Sequence, residues 1–167
     1  MKTLIKICIS LAIIASFTQT GLAQDKKAEK LAEVKQLIQS KNYLFKAEFM
    51  LPMGGAQQYL TSDYDLKITP DTLVAYLPYF GVVYFNAAYN NSADAGIQFT
   101  STRFDYKLEE RKNGGYYVYI KPKDTKNTQQ MILDVSANGG AGLTVQSVNR
   151  QMIRFTGYIK EVPKPKI

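Results

Sequence analysis

The chain has 167 residues with 21 Lys and Arg against 14 Asp and Glu, no histidine, no tryptophan and one cysteine, Cys8. The absence of histidine excludes a Ser-His-Asp triad, a Cys-His pair, a histidine general base and any His-containing zinc site. The formal net charge of +7 is concentrated near the two ends, where acids are mixed in at the first. It forms no compact Arg/Lys stripe of the kind that nucleic-acid binding requires, and a solvated surface is the expectation.

Residues 1–23 read as a secretory signal peptide. Lys2 and Lys6 open it, residues 4–17 are mostly apolar without an acid, and Gly21-Leu22-Ala23 places small residues at a signal peptidase's positions. The apolar run is short for a membrane span. Ile7 precedes Cys8 where a lipoprotein signal wants a small residue, so Cys8 belongs to the leader. Cleavage after Ala23 predicts a periplasmic or secreted protein with no transmembrane span. No cysteine is then left, so the core alone must hold the fold.

Residues 24–42 predict an amphipathic helix, with Asp25 as its cap and Leu31, Val34, Leu37 and Ile38 as its apolar stripe. From Tyr43 the period changes to two. Tyr43, Phe45, Ala47 and Phe49 are expected on one face, with Lys46 and Glu48 opposite. Pro52 and Gly54-Gly55 end this strand. Tyr64, Leu66 and Ile68 alternate with Asp63, Asp65 and Lys67, and Thr69-Pro70-Asp71 turns the chain into a strand over 72–77. Further extended runs are expected over 82–85, 97–100, 103–110, 116–121, 128–136, 143–148 and 152–160. The turns between them include a loop at 90–94, Lys112-Asn113-Gly114-Gly115, Asn138-Gly139-Gly140 and Asn149-Arg150. Short strands joined by short turns over 43–160 predict an all-β domain, an antiparallel meander closed into a barrel or folded as a sandwich, with the barrel expected because it removes exposed edges, followed by a disordered tail over 161–167.

The run Tyr76-Leu-Pro-Tyr-Phe-Gly81 carries the strongest local signal. Pro78 fits an edge or corner better than a central strand, and Gly81 permits a bend, so a kink is expected between 72–77 and 82–85. Two arrangements remain open for the aromatics. Tyr76, Tyr79, Phe80, Tyr84 and Phe85 either fill a barrel corner against the helix, or some of them line a cavity mouth, with tyrosine hydroxyls orienting a ligand. Arg103, Arg150 and Arg154 are candidates to meet an anionic head group or to stack on these rings; Arg150 can equally bond turn carbonyls.

Asp63 and Asp65 share a face, as a carboxylate pair would. Their neighbours take the inward face, leaving both in solvent without the burial that tunes a catalytic acid. The same two acids lack the spacing of an EF-hand, so no metal site is assigned. Gly139-Gly140-x-Gly142 lacks a P-loop lysine and reads as a turn. The triplet Asn90-Asn91-Ser92 matches an N-glycosylation pattern, a short motif that assigns no function.

Tyr76-Leu-Pro-Tyr-Phe-Gly81, Gly96-Ile-Gln-Phe99 and Ser147-Val-Asn-Arg-Gln151 with Ile153, Phe155 and Gly157 occur in an order that resembles exported Bacteroidota proteins grouped as domain of unknown function 4251. The resemblance implies a secreted or periplasmic lipocalin-like β-barrel with a helix at its start, and brings no functional residues with it. The expectation is therefore an exported, non-enzymatic barrel without a cofactor. It would bind a small apolar or amphipathic ligand in or at the mouth of the barrel through Tyr76, Tyr79, Phe80, Tyr84, Arg103 and Arg150. The alternative is an envelope module that binds a protein partner through an aromatic outer face or the helix; a buried carboxylate pair in a cleft would point to an enzyme instead.

Overall fold

The computed structural model of the protein describes residues 19–84 and 96–163, with side chains from Lys26 onward. Most of the leader, Phe85, the loop at 90–94 and the end of the tail lie outside the described residues. Helix α1 spans Gln19–Ser40. Nine strands follow: β1 Tyr43–Pro52, β2 Gln58–Ile68, β3 Leu73–Pro78, β4 Gly96–Ser101, β5 Phe104–Glu110, β6 Tyr116–Pro122, β7 Thr128–Val135, β8 Gly140–Ser147 and β9 Ile153–Glu161. Asp25 lies within the helix and does not cap it. The strand expected over 82–85 is reduced to an isolated bridge, Val83 to Arg150.

The strands form one sheet in the order β4-β3-β2-β1-β9-β8-β7-β6-β5, with every neighbouring pair antiparallel. This is the nearly closed antiparallel barrel that the alternation predicts. Alternating direction across nine strands leaves the two outer ones, β4 and β5, running the same way, so they cannot form a hairpin. The chain instead passes from β3's side to β6's side through the bend Thr102-Arg103. Asp124, in the β6–β7 turn, holds that bend. Its carboxylate accepts the Ser101 hydroxyl and the amides of Thr102 and Arg103, the latter two at 3.0 and 3.2 Å. These bonds hold the Asp124 carboxyl below its ordinary pKa, the Ser101 bond most.

The interior is filled by side chains. Phe45, Leu66, Ile120, Met131, Leu133 and Phe155 are among the largest fully buried groups of one continuous core. The period-two pattern of β1 breaks once. A bulge between Ala47 and Phe49 turns Met50 into the core and leaves Phe49 edge-on to Tyr59 at 5.3 Å, so Phe49 does not share the face of Phe45 and Ala47. Gly157 lies opposite the bulge. A Cβ there would fall 1.9 Å from the Lys46 carbonyl oxygen, so only glycine admits this approach.

α1 caps the end of the barrel where β1 begins, through buried Val34, Leu37 and Ile38, while Leu31 stays partly exposed over the Gly114 turn. Tyr106 donates its hydroxyl to the Ile38 carbonyl at 3.2 Å. That uses its single proton, so Tyr43, 3.1 Å away, donates to Tyr106. Burial, the largest cause in both, raises the Tyr43 pKa well above its ordinary value and pushes Tyr106 up to about 12.

Candidate functional site

The kink after β3 sits at the opposite end of the barrel from α1. Pro78 closes β3, and the Tyr79 side chain folds back over the bend it begins. Its hydroxyl lies 2.9 Å from the Val82 carbonyl and 3.1 Å from that of Gln151. A Cβ on Gly81 would come 2.8 Å from the same hydroxyl, so Gly81 provides the room that Tyr79 occupies. Residues 82–84 then pair with the β8–β9 turn: Tyr84 N–H donates to Asn149 O at 2.8 Å, and Gln151 N–H to Val82 O at 3.0 Å.

Arg150 locks this arrangement from below. It is 7 % exposed, its guanidinium lies 5.0 Å from the centre of the Tyr79 ring, and its Nη1 donates to Gly96 O at 2.9 Å. The carbonyl it reaches belongs to β4, not to its own turn. Partial burial raises the Tyr79 pKa, against the lowering pull of Arg150.

The six sequence-selected residues therefore divide. Tyr79 and Arg150 form an internal pin. Phe80 and Tyr84 point outward, 57 % and 54 % exposed, on the segment that the pin holds. Tyr76 projects from the barrel wall and stacks on Tyr64, centroids 5.5 Å apart. Arg103 is exposed at the β4–β5 bend. The aromatic run does not fill a corner against the helix, since it occupies the other end. Val82 and Val148, 53 % and 71 % exposed, complete the rim. Sequence reading missed both, placing Val82 and Val148 in strands over 82–85 and 143–148; the strands stop short of them and leave both side chains in connections.

Other candidate chemistry is placed as follows. Asp63 is fully exposed and ion-paired to Lys46, whose hydrogen bond holds its carboxyl down. Asp65, expected in solvent, is half-buried, and burial raises its pKa. The two environments differ: one carboxylate stands in solvent and the other is partly covered. Gly139, at a φ of 86°, forms the β7–β8 turn beneath Val34. No group of three or more metal-ligating side chains occurs among the described residues. A small polar cleft of about 260 Å³ follows the open edge of β4, facing the β6–β7 turn and lined by Gln98, Asp124, Thr128 and Arg150.

The family model described as domain of unknown function, DUF4251, matches residues 25–159. No curated protein matches the sequence. Among solved structures, this chain is similar to a DUF4251 family protein from Bacteroides eggerthii DSM 20697, with a TM-score of 0.63 at 15 % identity. The likeness covers 83 % of this chain and 91 % of that one, and at this identity it speaks to the fold.

Proposed function

We propose, from the premise that this chain belongs to the DUF4251 family, that it is an exported, non-enzymatic binding module whose working surface is the loop end of the barrel. The observation that carries this reading is the exposed rim of Phe80, Val82, Tyr84 and Val148, held by the Tyr79–Arg150 pin above a side-chain-filled interior. Folded chains rarely display neighbouring large apolar groups on a rigid segment without a partner for them. A filled barrel moves the expected ligand from the inside to the outside: the partner is apolar or amphipathic and meets the rim.

The test is native mass spectrometry and amide exchange on protein recovered from its host's envelope. A retained species that slows exchange at 82–84 and 149–151 supports the reading. A retained species that leaves these amides unchanged and protects α1 instead assigns binding to the helix. Substituting both Phe80→Ser and Tyr84→Ser removes the retained species if the rim holds it.

A further inference from the structure

The rim belongs to a larger face. Leu51 and Met53 are also more than a third exposed, and they sit at the β1–β2 connection on the same end of the barrel. Pro52 pairs with Ile153, two residues from Gln151, which bonds Val82; Val148 N–H donates to Asn127 O at 2.9 Å. Four connections (53–57, 79–84, 123–127 and 148–152) thus meet in one end face bearing Leu51, Met53, Phe80, Val82, Tyr84 and Val148.

The charge of that face is one-sided. Among the described residues of these four connections there is a single acid, Asp124, already committed to the Ser101 hydroxyl and two backbone amides. They contain Lys123, Lys126 and Arg150. Lys123 pairs with Asp105 and Arg150 is buried, which leaves Lys126 on the face and exposed Arg103 and Arg154 beside it. Arg154 stands directly opposite Leu51 in the β1–β9 ladder, so a cation and an apolar side chain share one outward position.

We infer that this end docks onto an anionic lipid surface, its apolar tips entering the interface and its cations meeting the head groups. The inference rests on the rim being the working surface and names what it meets. Apolar and aromatic tips backed by Lys and Arg, with no uncommitted acid among the described residues of the four connections, match the two attractions that drive interfacial binding: buried apolar area and charge. A cationic soluble partner would meet like charge here. The polar β4 cleft offers a small amphiphile little apolar wall.

The chain lacks tryptophan, so one introduced indole reports a single place. Phe80→Trp is compared with Leu108→Trp, an exposed position on β5 away from the face, in the otherwise unchanged chain recovered after export, without the apolar leader. Vesicles of phosphatidylglycerol mixed with phosphatidylcholine are expected to shift Phe80→Trp emission to the blue, and brominated acyl chains to quench it. Leu108→Trp stays unchanged, and pure phosphatidylcholine has little effect. Lys126→Gln and Arg154→Gln each weaken partitioning about fivefold, the factor for one basic residue near an anionic surface. No shift at Phe80→Trp, equal shifts at both positions, or no preference for anionic vesicles overturns the inference. A shift at Phe80→Trp given by host envelope protein or a monomeric amphiphile, but not by vesicles, overturns the membrane as occupant and leaves the rim reading standing. Silence to all three overturns both.

Discussion

Arg150 and Gly96 are 54 residues apart, and a hydrogen bond of 2.9 Å from the Arg150 Nη1 to the Gly96 carbonyl ties the β8–β9 turn to the first residue of β4. With the Tyr79 ring 5.0 Å from the same guanidinium, three separate stretches of chain converge on one buried cation. Arg150→Met is expected to cost about 2–4 kcal/mol, the sum of a charged hydrogen bond and a partly desolvated cation–π contact. Arg150→Lys restores little of it, because an ammonium cannot both stack flat on the ring and reach Gly96. Chemical denaturation measures both. Tyr79→Phe keeps the ring and loses the hydroxyl, for a smaller loss of about 1 kcal/mol.

Gly157→Ala is expected to be among the most damaging single-methyl changes in the chain, since the added Cβ lies 1.9 Å from a backbone oxygen on β1. A loss above about 3 kcal/mol, or failure to fold, is the expected outcome. Gly142→Ala on the adjacent strand is the control: its Cβ meets its nearest neighbour at an ordinary 3.8 Å. Equal melting temperatures for the two variants would refute the argument.

The Tyr43–Tyr106 pair makes stability fall in strong alkali. Both pKa values are raised in the fold, Tyr106 to about 12 from an ordinary 10.0. The stabilisation is complete below pH 10 and is lost as pH rises towards 12, because the unfolded chain ionises first. The Tyr106 share is at most about 2.7 kcal/mol. Tyr106→Phe is expected to flatten this slope in melting curves between pH 10 and 12. At neutral pH it also destabilises by about 1 kcal/mol, as the Ile38 carbonyl keeps only the Lys41 amide at 3.4 Å and the buried Tyr43 hydroxyl loses its acceptor.

Asp124→Ala should release the β4–β5 bend. The Thr102 and Arg103 amides then exchange faster, while amides of the β1–β9 ladder keep their protection. With its pKa depressed, Asp124 contributes above about pH 4 and loses its effect as pH falls further, so acid reproduces the variant's exchange pattern. Unchanged exchange at Thr102 would show that the bend is held by other means.

Much of the barrel could be read from the period of its side chains and from its turns. Lys112–Gly115 and Asn138–Gly140 both carry glycines at positive φ where the sequence placed hairpins. Residues 78–81 kink as proline and glycine require. The bulge after Ala47 was hidden, because Phe49 and Met50 are both apolar and only the facing Gly157 marks the shift. The site was legible by composition and not by direction. Tyr79 and Phe80 are adjacent aromatics with opposite fates, decided by Arg150 and by the room at Gly81, and such long-range contacts leave no local periodicity. Met53 was missed because turns are read for glycine, proline and polar residues; Val148 was missed because the alternation carries the strand over 143–148 through it, whereas β8 ends at Ser147 and leaves it exposed in the turn.

The pairing of Tyr43 with Glu161 in the β1–β9 ladder has a practical consequence. The chain enters and leaves the barrel at one point, beside α1, and β1 alone carries it roughly 30 Å, at about 3.3 Å per residue, towards the other end. A tether, label or fused domain joined ahead of α1 or after Glu161 would hang from the helix end and leave the rim facing away from it. A linker from Glu161 to the start of α1 could also reconnect the ends with the helix kept in place, letting the β2–β3 turn at 69–72 serve as new termini without disturbing the opposite face.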